Sequence, residues 1–288
     1  MSRLHDLVEG LIDQRAPLLH VVRDTGEPAP HEPAPDEHDR SGQPAKPGPV
    51  VVMIHGIASS SSTFTYVMPL IEPTHRVIAI DLLGFGSSPR PEHAEYTLEE
   101  HVAAVAHTIR SLHLHEPFIL VGHSLGCLIA TRYAATHGSH LAKLVLVSPP
   151  VYLSPSEIGD PLTRLKMTGY LQAYQYLRAN KEFTLAHAAL VSRLLPIEHV
   201  MEITEDTWTP FVKSLEHCIE SQTVVSDLAR VDHPVEVVYG RFDEFLVPEN
   251  VAIIGRMRGV TTHVVNASDH VIRKPMARVV AKAIDAPT

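Results

Sequence analysis

Short runs of consecutive apolar residues recur along the first half of the chain, each about the length of a strand. The runs are VVVMI at 50–54, HRVIAI at 75–80, FILV at 118–121 and LVLV at 144–147. Continuous β-branched runs of this kind are typical of parallel strands that are buried on both faces. Further runs, VEVVY at 235–239 and TTHVVN at 261–266, predict strands late in the chain.

Between these runs, apolar residues recur at helical spacing. Along 97–112 they appear every three or four positions, and Thr97 with Glu100 three residues later predicts a capping box at the start of a helix. Strands that alternate with helices predict an α/β fold, in which helices flank a mostly parallel sheet joined by right-handed crossovers.

The alternation stops at about residue 150, and helical patterns replace it at 162–179, 184–195 and 208–223. Afterwards the strand signal returns, and the stretch 271–284 predicts a closing helix. We therefore predict an α/β core made of 50–149 and 226–288, with a helical cap at 150–225. Insertions of this kind often form lids over sites at the carboxyl edge of the sheet.

The region before the first buried strand has a different character. Residues 1–23 predict an N-terminal helix or strand, and residues 24–49 are rich in proline and acid. Such a composition buries too little apolar surface to offset the entropy of ordering, so 24–49 is expected to be a mobile loop.

The overall composition is that of a soluble globular protein, with 44% hydrophobic and 20% charged residues among 288. The net charge of −9 and the absence of a basic tract argue against nucleic-acid binding. No apolar run approaches the roughly 20 residues that span a bilayer, and acidic residues occupy the place of a signal peptide's apolar centre. Two isolated cysteines, Cys127 and Cys218, suggest reduced thiols. We expect a cytoplasmic protein without a membrane partner.

The sequence GHSLG at 122–126 contains the first candidate for chemistry. It matches G-x-S-x-G between a predicted strand and a predicted helix, which is the context of a nucleophile on a sharp turn. The turn strains the backbone at Ser124 and leaves room only for Gly122 and Gly126 beside it. The backbone N–H of Leu125, at the start of the next helix, is placed to stabilise an oxyanion.

A serine nucleophile needs a base and an acid that orients the base. His270 follows the last predicted strand and is the predicted base, although the chain has 20 histidines. Asp243 follows the strand VEVVY and is the predicted acid, with the adjacent Glu244 as the alternative. This order of serine, acid and histidine along the chain is one of the known arrangements of such a triad.

The second oxyanion donor is expected in the loop HGIASSSSTF after the strand at 50–54. Gly56 permits a close backbone approach, and the N–H of Ile57 is the expected donor, with Ala58 as the alternative. We assign His55 a structural role in shaping this loop, because it precedes the serine in the chain.

Together these pieces resemble the α/β-hydrolase fold family of serine hydrolases. The matching residues are HG at 55–56, DLLGFGSS at 81–88, GHSLG at 122–126, GRFD at 240–243 and SDH at 268–270. The resemblance covers about 50–284 and implies the fold, a triad of Ser124, Asp243 and His270, and a helical cap. The sequence departs from the family pattern in the position of the Val-Pro pair at 247–248. Counting backwards from this pair places the acid at Glu244, whereas counting forwards from Gly240 places it at Asp243.

The expected activity is hydrolysis of a small to medium apolar carboxylic ester, thioester or lactone through an acyl-enzyme on Ser124. The alternatives are a carbon–carbon bond hydrolase of the ring-cleavage product type and a slow-turnover relative that senses ligands. Serine at the turn argues against the epoxide hydrolase and haloalkane dehalogenase branches, which need a carboxylate nucleophile. We expect no metal or organic cofactor and a small-molecule substrate, and the oligomeric state stays open.

Overall fold

The computed structural model describes residues 15–26, 48–152, 160–194 and 202–287. Most of the proline-rich segment, part of the N-terminal segment and two stretches of the predicted cap therefore lie outside the described residues. Within the described part, no helix combines the length and the apolar character needed to cross a membrane.

A seven-stranded sheet forms the centre of the described part, and it confirms the predicted fold class. The strands are β1 Val21–Asp24, β2 Val50–Ile54, β3 Arg76–Ile80, β4 Phe118–His123, β5 Leu141–Val147, β6 Val235–Gly240 and β7 Val260–Val265. Their order is β1-β3-β2-β4-β5-β6-β7. All neighbouring pairs are parallel except β1 and β3, so the carboxyl ends of six strands share one edge.

The first edge of the sheet is short. Strand β1 has four residues, pairs antiparallel with β3, and carries a register shift between Val21 and Arg23. An irregular, short edge strand resists pairing with other chains because it presents few regularly spaced backbone groups.

Helices cover both faces of the sheet. They are α1 Met68–Ile71, α2 Leu98–Ser111, α3 Leu125–His137, α4 Pro161–Ala179, α5 Lys181–Leu194, α6 Trp208–Ser214, α7 Val224–Leu228, α8 Pro248–Ile254 and α9 Lys274–Asp285. Short 3₁₀ turns occupy Ser61–Phe64 and Gly138–His140. The predicted capping box at the start of α2 is confirmed, since Thr97 accepts from the Glu100 N–H and Glu100 accepts from the Thr97 N–H.

The sheet has a hydrophobic core on each face, and side chains alternate between the two cores along each strand. In β2, Val52 and Ile54 pack with α2 and α3 on one face, whereas Val51 and Met53 pack with α9 on the other. Because successive side chains of a strand point to opposite faces, a run with no polar residue is what a doubly covered strand requires.

Two helix predictions differ from the structure. The stretch predicted as one helix at 208–223 is α6 followed by a π-helical turn at Leu215–Ile219. The last helix begins at Lys274 and not at 271, with Pro275 in its first turn. Proline fits the first turn because its missing N–H has no acceptor there, and this leaves 271–273 to the loop that carries His270.

Candidate active site

Ser124 lies on a strained turn between β4 and α3. Its φ is 51° and its ψ is −118°, a conformation that side-chain-bearing residues rarely adopt. A Cβ on Gly122 would come within 2.4 Å of the Gly126 carbonyl oxygen, and one on Gly126 within 2.5 Å of the carbonyl oxygens of Ile54 and His55. The crowding explains both glycines and holds Ser124 at the carboxyl edge of the sheet.

The N–H of Leu125 is the first of helix α3. The opening N–H groups of a helix have no intrahelical acceptor, and the helix dipole adds positive potential there. The turn itself is anchored on the neighbouring strand, because the Ser124 N–H donates to the Val147 carbonyl at 3.0 Å.

Asp243 and His270 are brought together by the turns that follow β6 and β7. The His270 Nδ1 atom lies 2.9 Å from Oδ1 and 3.0 Å from Oδ2 of Asp243. The Phe245 N–H donates to the same carboxylate at 3.1 Å. Glu244 is exposed and lines the mouth of the adjacent cavity, so the carboxylate that contacts His270 is Asp243.

The surroundings of Asp243 hold its carboxylate in the ionised form. Burial by itself raises the pKa of this group, but the charge and hydrogen bond of His270 act in the opposite direction. The Ser148 hydroxyl and the Phe245 N–H also favour the charged form, and the net pKa of Asp243 is below its usual range.

The loop after β2 lies against the turn of Ser124. A Cβ on Gly56 would be 2.9 Å from the Cβ of Ser124, so only glycine allows this approach without a shift. Gly56, Ile57 and Ala58 all line the same cavity as Ser124. Ala58 has a φ of 52°, and its carbonyl accepts a hydrogen bond from the Glu202 N–H at 2.8 Å.

His55 has the structural role predicted for it. Its Nε2 accepts from the Leu82 N–H at 2.9 Å, so the proton is on Nδ1, which donates to the Gly56 carbonyl at 2.7 Å. Burial lowers the pKa of His55, which keeps the ring neutral. Both ring nitrogens are thus used to hold the loop.

Asp81 joins two loops near this edge of the sheet. Its Oδ1 accepts from the Ser61 N–H at 2.8 Å, and its Oδ2 accepts from the Ser87 N–H at 2.8 Å. A Cβ on Gly86 would collide with this carboxylate, which explains a glycine in the DLLGFGSS stretch.

Two neighbours of these residues, His123 and Tyr152, were not singled out from the sequence. His123 donates from Nε2 to the His270 carbonyl at 3.0 Å, and burial lowers the pKa of His123 to about 3. Tyr152 and Tyr174 form a hydroxyl pair next to Phe245. No local pattern marks these residues, because each acts through a partner that is distant in the chain.

A cavity of about 390 Å³ opens beside Ser124 and His270. Its walls are mostly apolar and come from the core and from helices α4, α5 and α6 with the turns beside them. Among the described residues that line it there is no lysine or arginine, and the only carboxylate is Glu244 at the mouth. The apolar lining includes Ile57, Leu177, Ala188, Ile203, Phe211, Leu215, Ile219 and Phe245.

Cys127 lies directly beneath the turn that carries Ser124. Within the described ranges, no group of three or more His, Cys, Asp or Glu side chains is placed to hold a metal ion. Cys127 is buried, and its thiol donates to the carbonyls of Gly122 and Val147. Burial raises the pKa of Cys127 well above its usual value, so it is a packing residue beneath the turn.

The fold and this site together define a class of protein. Residues 49–194 match the family described as alpha/beta hydrolase fold, and the chain belongs to that family.

Particular relatives match shorter stretches. "Probable lysophospholipase BODYGUARD 3" of Arabidopsis thaliana is 43% identical over 115 residues, which are 38% of this chain and 23% of that protein. "Haloalkane dehalogenase 1" of Mycobacterium bovis is 40% identical over 102 residues, which are 35% of this chain and 34% of that protein. The matches thus span about a quarter to a third of these relatives.

The fold extends further than these matches in sequence. An esterase from Exiguobacterium antarcticum superimposes with a TM-score of 0.67 at 17% identity, covering 83% of this chain and 92% of that one. At this identity the likeness concerns the fold.

Proposed function

We propose that the protein is a serine hydrolase that cleaves an uncharged, small to medium apolar carboxylic ester, thioester or lactone through an acyl-enzyme on Ser124. The observation that carries the proposal is the Asp243–His270 hydrogen bond, at 2.9 Å, beside a strained serine at the same cavity. A serine needs such a base to become nucleophilic, and a base needs a group that orients it.

In the proposed mechanism, His270 moves the protons and the other residues hold or stabilise the reacting groups. The Nδ1–H of His270 points to Asp243, so the lone pair of the neutral ring is on Nε2 and takes the proton of Ser124. The serine oxygen bonds to the substrate carbonyl carbon, and negative charge develops on the carbonyl oxygen. The N–H groups of Leu125 and Ile57, with Ala58 as the alternative to Ile57, stabilise that charge.

The reaction releases first the alcohol or thiol and then the acid. His270 gives its proton to the oxygen or sulfur atom of the leaving group. The bond between that atom and the acyl carbon breaks, and the acyl group stays on Ser124. His270 then removes a proton from a water molecule, which attacks the acyl carbon. As the bond between the acyl carbon and the Ser124 oxygen breaks, His270 returns that proton to the serine and the acid is released. Asp243 stays ionised throughout and stabilises the imidazolium, consistent with its lowered pKa.

The cavity favours an uncharged substrate. A carboxylate buried without a cationic partner is costly, and the described lining offers no lysine or arginine. Products of aromatic ring cleavage carry a carboxylate, so the same observation disfavours the carbon–carbon hydrolase alternative. The Arabidopsis thaliana relative is named a probable lysophospholipase, and a lipase name is compatible with an ester substrate. Haloalkane cleavage needs a carboxylate where this chain has Ser124.

Helices α4, α5 and α6 form the proposed cap of this enzyme. They supply Tyr174, Leu177, Ala188 and Phe211 to the lining of the cavity. A cap of this kind excludes water from the acyl-enzyme and strengthens the oxyanion interactions.

The test compares p-nitrophenyl butyrate with a vinylogous diketone acid, for the wild type and for Ser124→Ala. We expect ester hydrolysis in the wild type and a loss of several orders of magnitude in Ser124→Ala, together with loss of labelling by a fluorophosphonate probe. Ser226→Ala, which alters an exposed serine on α7, is the matched control.

Three outcomes would contradict the proposal. Undiminished turnover and labelling in Ser124→Ala would remove the serine from the mechanism. Strong preference for the diketone acid would instead select the carbon–carbon bond hydrolase, and labelling with negligible turnover of both compounds would select the slow ligand-sensing relative.

A further inference from the structure

Two tyrosine hydroxyls connect helix α4 to the turn that carries Asp243. The Tyr152 hydroxyl oxygen lies 2.6 Å from the Phe245 carbonyl oxygen and 2.7 Å from the Tyr174 hydroxyl oxygen. Both tyrosines are buried, at 7% and 8% exposure, although Tyr174 also borders the cavity.

The direction of these hydrogen bonds follows from their chemistry. A carbonyl oxygen can only accept, so Tyr152 donates its single proton to Phe245. Tyr174 must then donate to the oxygen of Tyr152. The result is a relay from Tyr174 through Tyr152 to the Phe245 carbonyl, and burial raises the pKa of both tyrosines, which keeps both hydroxyls protonated.

The middle of the relay is held in place by the core. The Asn250 side chain donates to the Val151 carbonyl at 2.9 Å, and the Tyr152 N–H donates to the Gln222 side chain at 3.1 Å. Tyr170 stacks on the Tyr152 ring, with ring centroids 5.9 Å apart. The position of the Tyr152 hydroxyl is therefore defined by its backbone and by its ring.

Phe245, at the acceptor end of the relay, contacts both Asp243 and His270. The Phe245 N–H donates to Oδ1 of Asp243, and the Phe245 ring meets the His270 ring edge-on, with centroids 4.9 Å apart. A shift of the Phe245 backbone would thus move two groups together: the N–H that donates to Asp243 and the ring that packs against His270.

We propose that Tyr152 and Tyr174 are positioning residues that couple the seating of helix α4 over the cavity to the alignment of Asp243 with His270. The proposal rests on the proposed function for its meaning in catalysis. If α4 moves away from the cavity, the hydrogen bond that Tyr174 donates to Tyr152 is lost, and the hydrogen bond from Tyr152 to Phe245 weakens. Asp243 is then less well positioned, so the site is fully aligned only when α4 is in place.

The catalytic test is a double-mutant cycle on kcat for p-nitrophenyl butyrate. We expect Tyr152→Phe to lower kcat by about tenfold, the scale of one lost hydrogen bond, with KM changed by less than about threefold. Tyr174→Phe should have a smaller effect. The double variant should match Tyr152→Phe alone, because without the Tyr152 oxygen the Tyr174 hydroxyl has nothing to act on.

Tyr170→Phe is the matched control, since it keeps the stacked ring. Its hydroxyl has no hydrogen bond to the part of the chain that the structure describes. Wild-type kcat is expected for this variant. Additive effects of Tyr152→Phe and Tyr174→Phe, or an equal loss in Tyr170→Phe, would overturn the relay.

A second readout does not depend on turnover. The proton between His270 Nδ1 and Asp243 gives a downfield ¹H NMR signal, assigned by its loss in His270→Ala. We expect the signal to broaden or move in Tyr152→Phe and to stay in place in Tyr170→Phe. An unchanged signal in Tyr152→Phe would overturn the coupling, whereas an active Ser124→Ala would overturn only the proposed function.

Discussion

Both carboxylate oxygens of Asp243 lie within 3.0 Å of one nitrogen of His270, although 27 residues separate the two positions in the chain. The contact exists because β6 and β7 are parallel neighbours, so the turns that follow them meet at the same edge of the sheet. Glu244, one residue further on, is exposed at the cavity mouth.

Substitution of each carboxylate in turn tests which of Asp243 and Glu244 is the proposed catalytic acid. We expect Asp243→Asn to lower kcat by about 10⁴-fold, because an amide can donate to Nδ1 and so stabilises the wrong tautomer of His270. Glu244→Gln should keep kcat within about threefold, since exposed charges interact weakly with the site. The measurement is ester hydrolysis under saturating substrate, and the reverse ranking would assign the acid to Glu244.

The tight turn predicts a stability effect at its glycines. We expect Gly126→Ala to destabilise the fold by about 3 kcal/mol, because its Cβ would meet two carbonyl oxygens of the β2 end and backbone cannot give way cheaply.

Gly169→Ala is the matched control, because this helix α4 residue has nothing within 4 Å of an added Cβ. It should be neutral or gain up to about 1 kcal/mol from helix propensity. Urea unfolding measures both variants, and equal effects would refute the packing argument.

Two buried histidines predict a loss of stability in mild acid. Burial lowers the pKa of His101 and His123 to about 3, so both rings are neutral in the folded state at pH values where the unfolded chain protonates them. Their stability contribution is therefore complete above about pH 6.5 and falls as the pH decreases towards 3. The slope is about 1.4 kcal/mol per pH unit for each histidine.

The comparison of His101→Gln with the wild type isolates the contribution of His101 to the pH dependence of stability. Between pH 6.5 and 5, the free energy of unfolding of His101→Gln should fall less steeply than that of the wild type, by about 1 kcal/mol per pH unit on average, because the unfolded histidine is only half protonated at about pH 6.5. His115→Gln, at an exposed position, should keep the wild-type slope. Parallel curves for His101→Gln and wild type would show that His101 does not stay neutral in the fold.

The capping box of α2 predicts a smaller, local effect. Thr97→Ala removes the side-chain acceptor of the Glu100 N–H and should cost about 1 kcal/mol of unfolding free energy. Thr97→Ser keeps the hydroxyl and should retain most of it. Thermal unfolding of both variants measures the difference, and an equal loss in the two would assign it to the Thr97 methyl group.

Local patterns predicted much of this fold because their causes are local. The apolar runs that became β2 and β4 need covering on both faces wherever they lie, and Thr97 with Glu100 caps whichever helix follows. The break at Leu215–Ile219 was missed because a π-helical turn keeps a helical pattern of apolar residues. Helix α8 was missed because seven residues carry too little periodicity.

The sequence by itself determined the strained serine and the order of its proposed partners. The glycines at 122 and 126 and the strand before them lie within nine residues, 118–126. The steric reason for Gly122 is local, because its Cβ would meet Gly126, whereas the Cβ of Gly126 would meet the distant end of β2. Only the tertiary structure decided which carboxylate meets His270, and that Tyr174 is linked to Phe245 through Tyr152. Those contacts depend on the register of β6 against β7 and on where helix α4 lies, and each joins residues that are far apart in the chain.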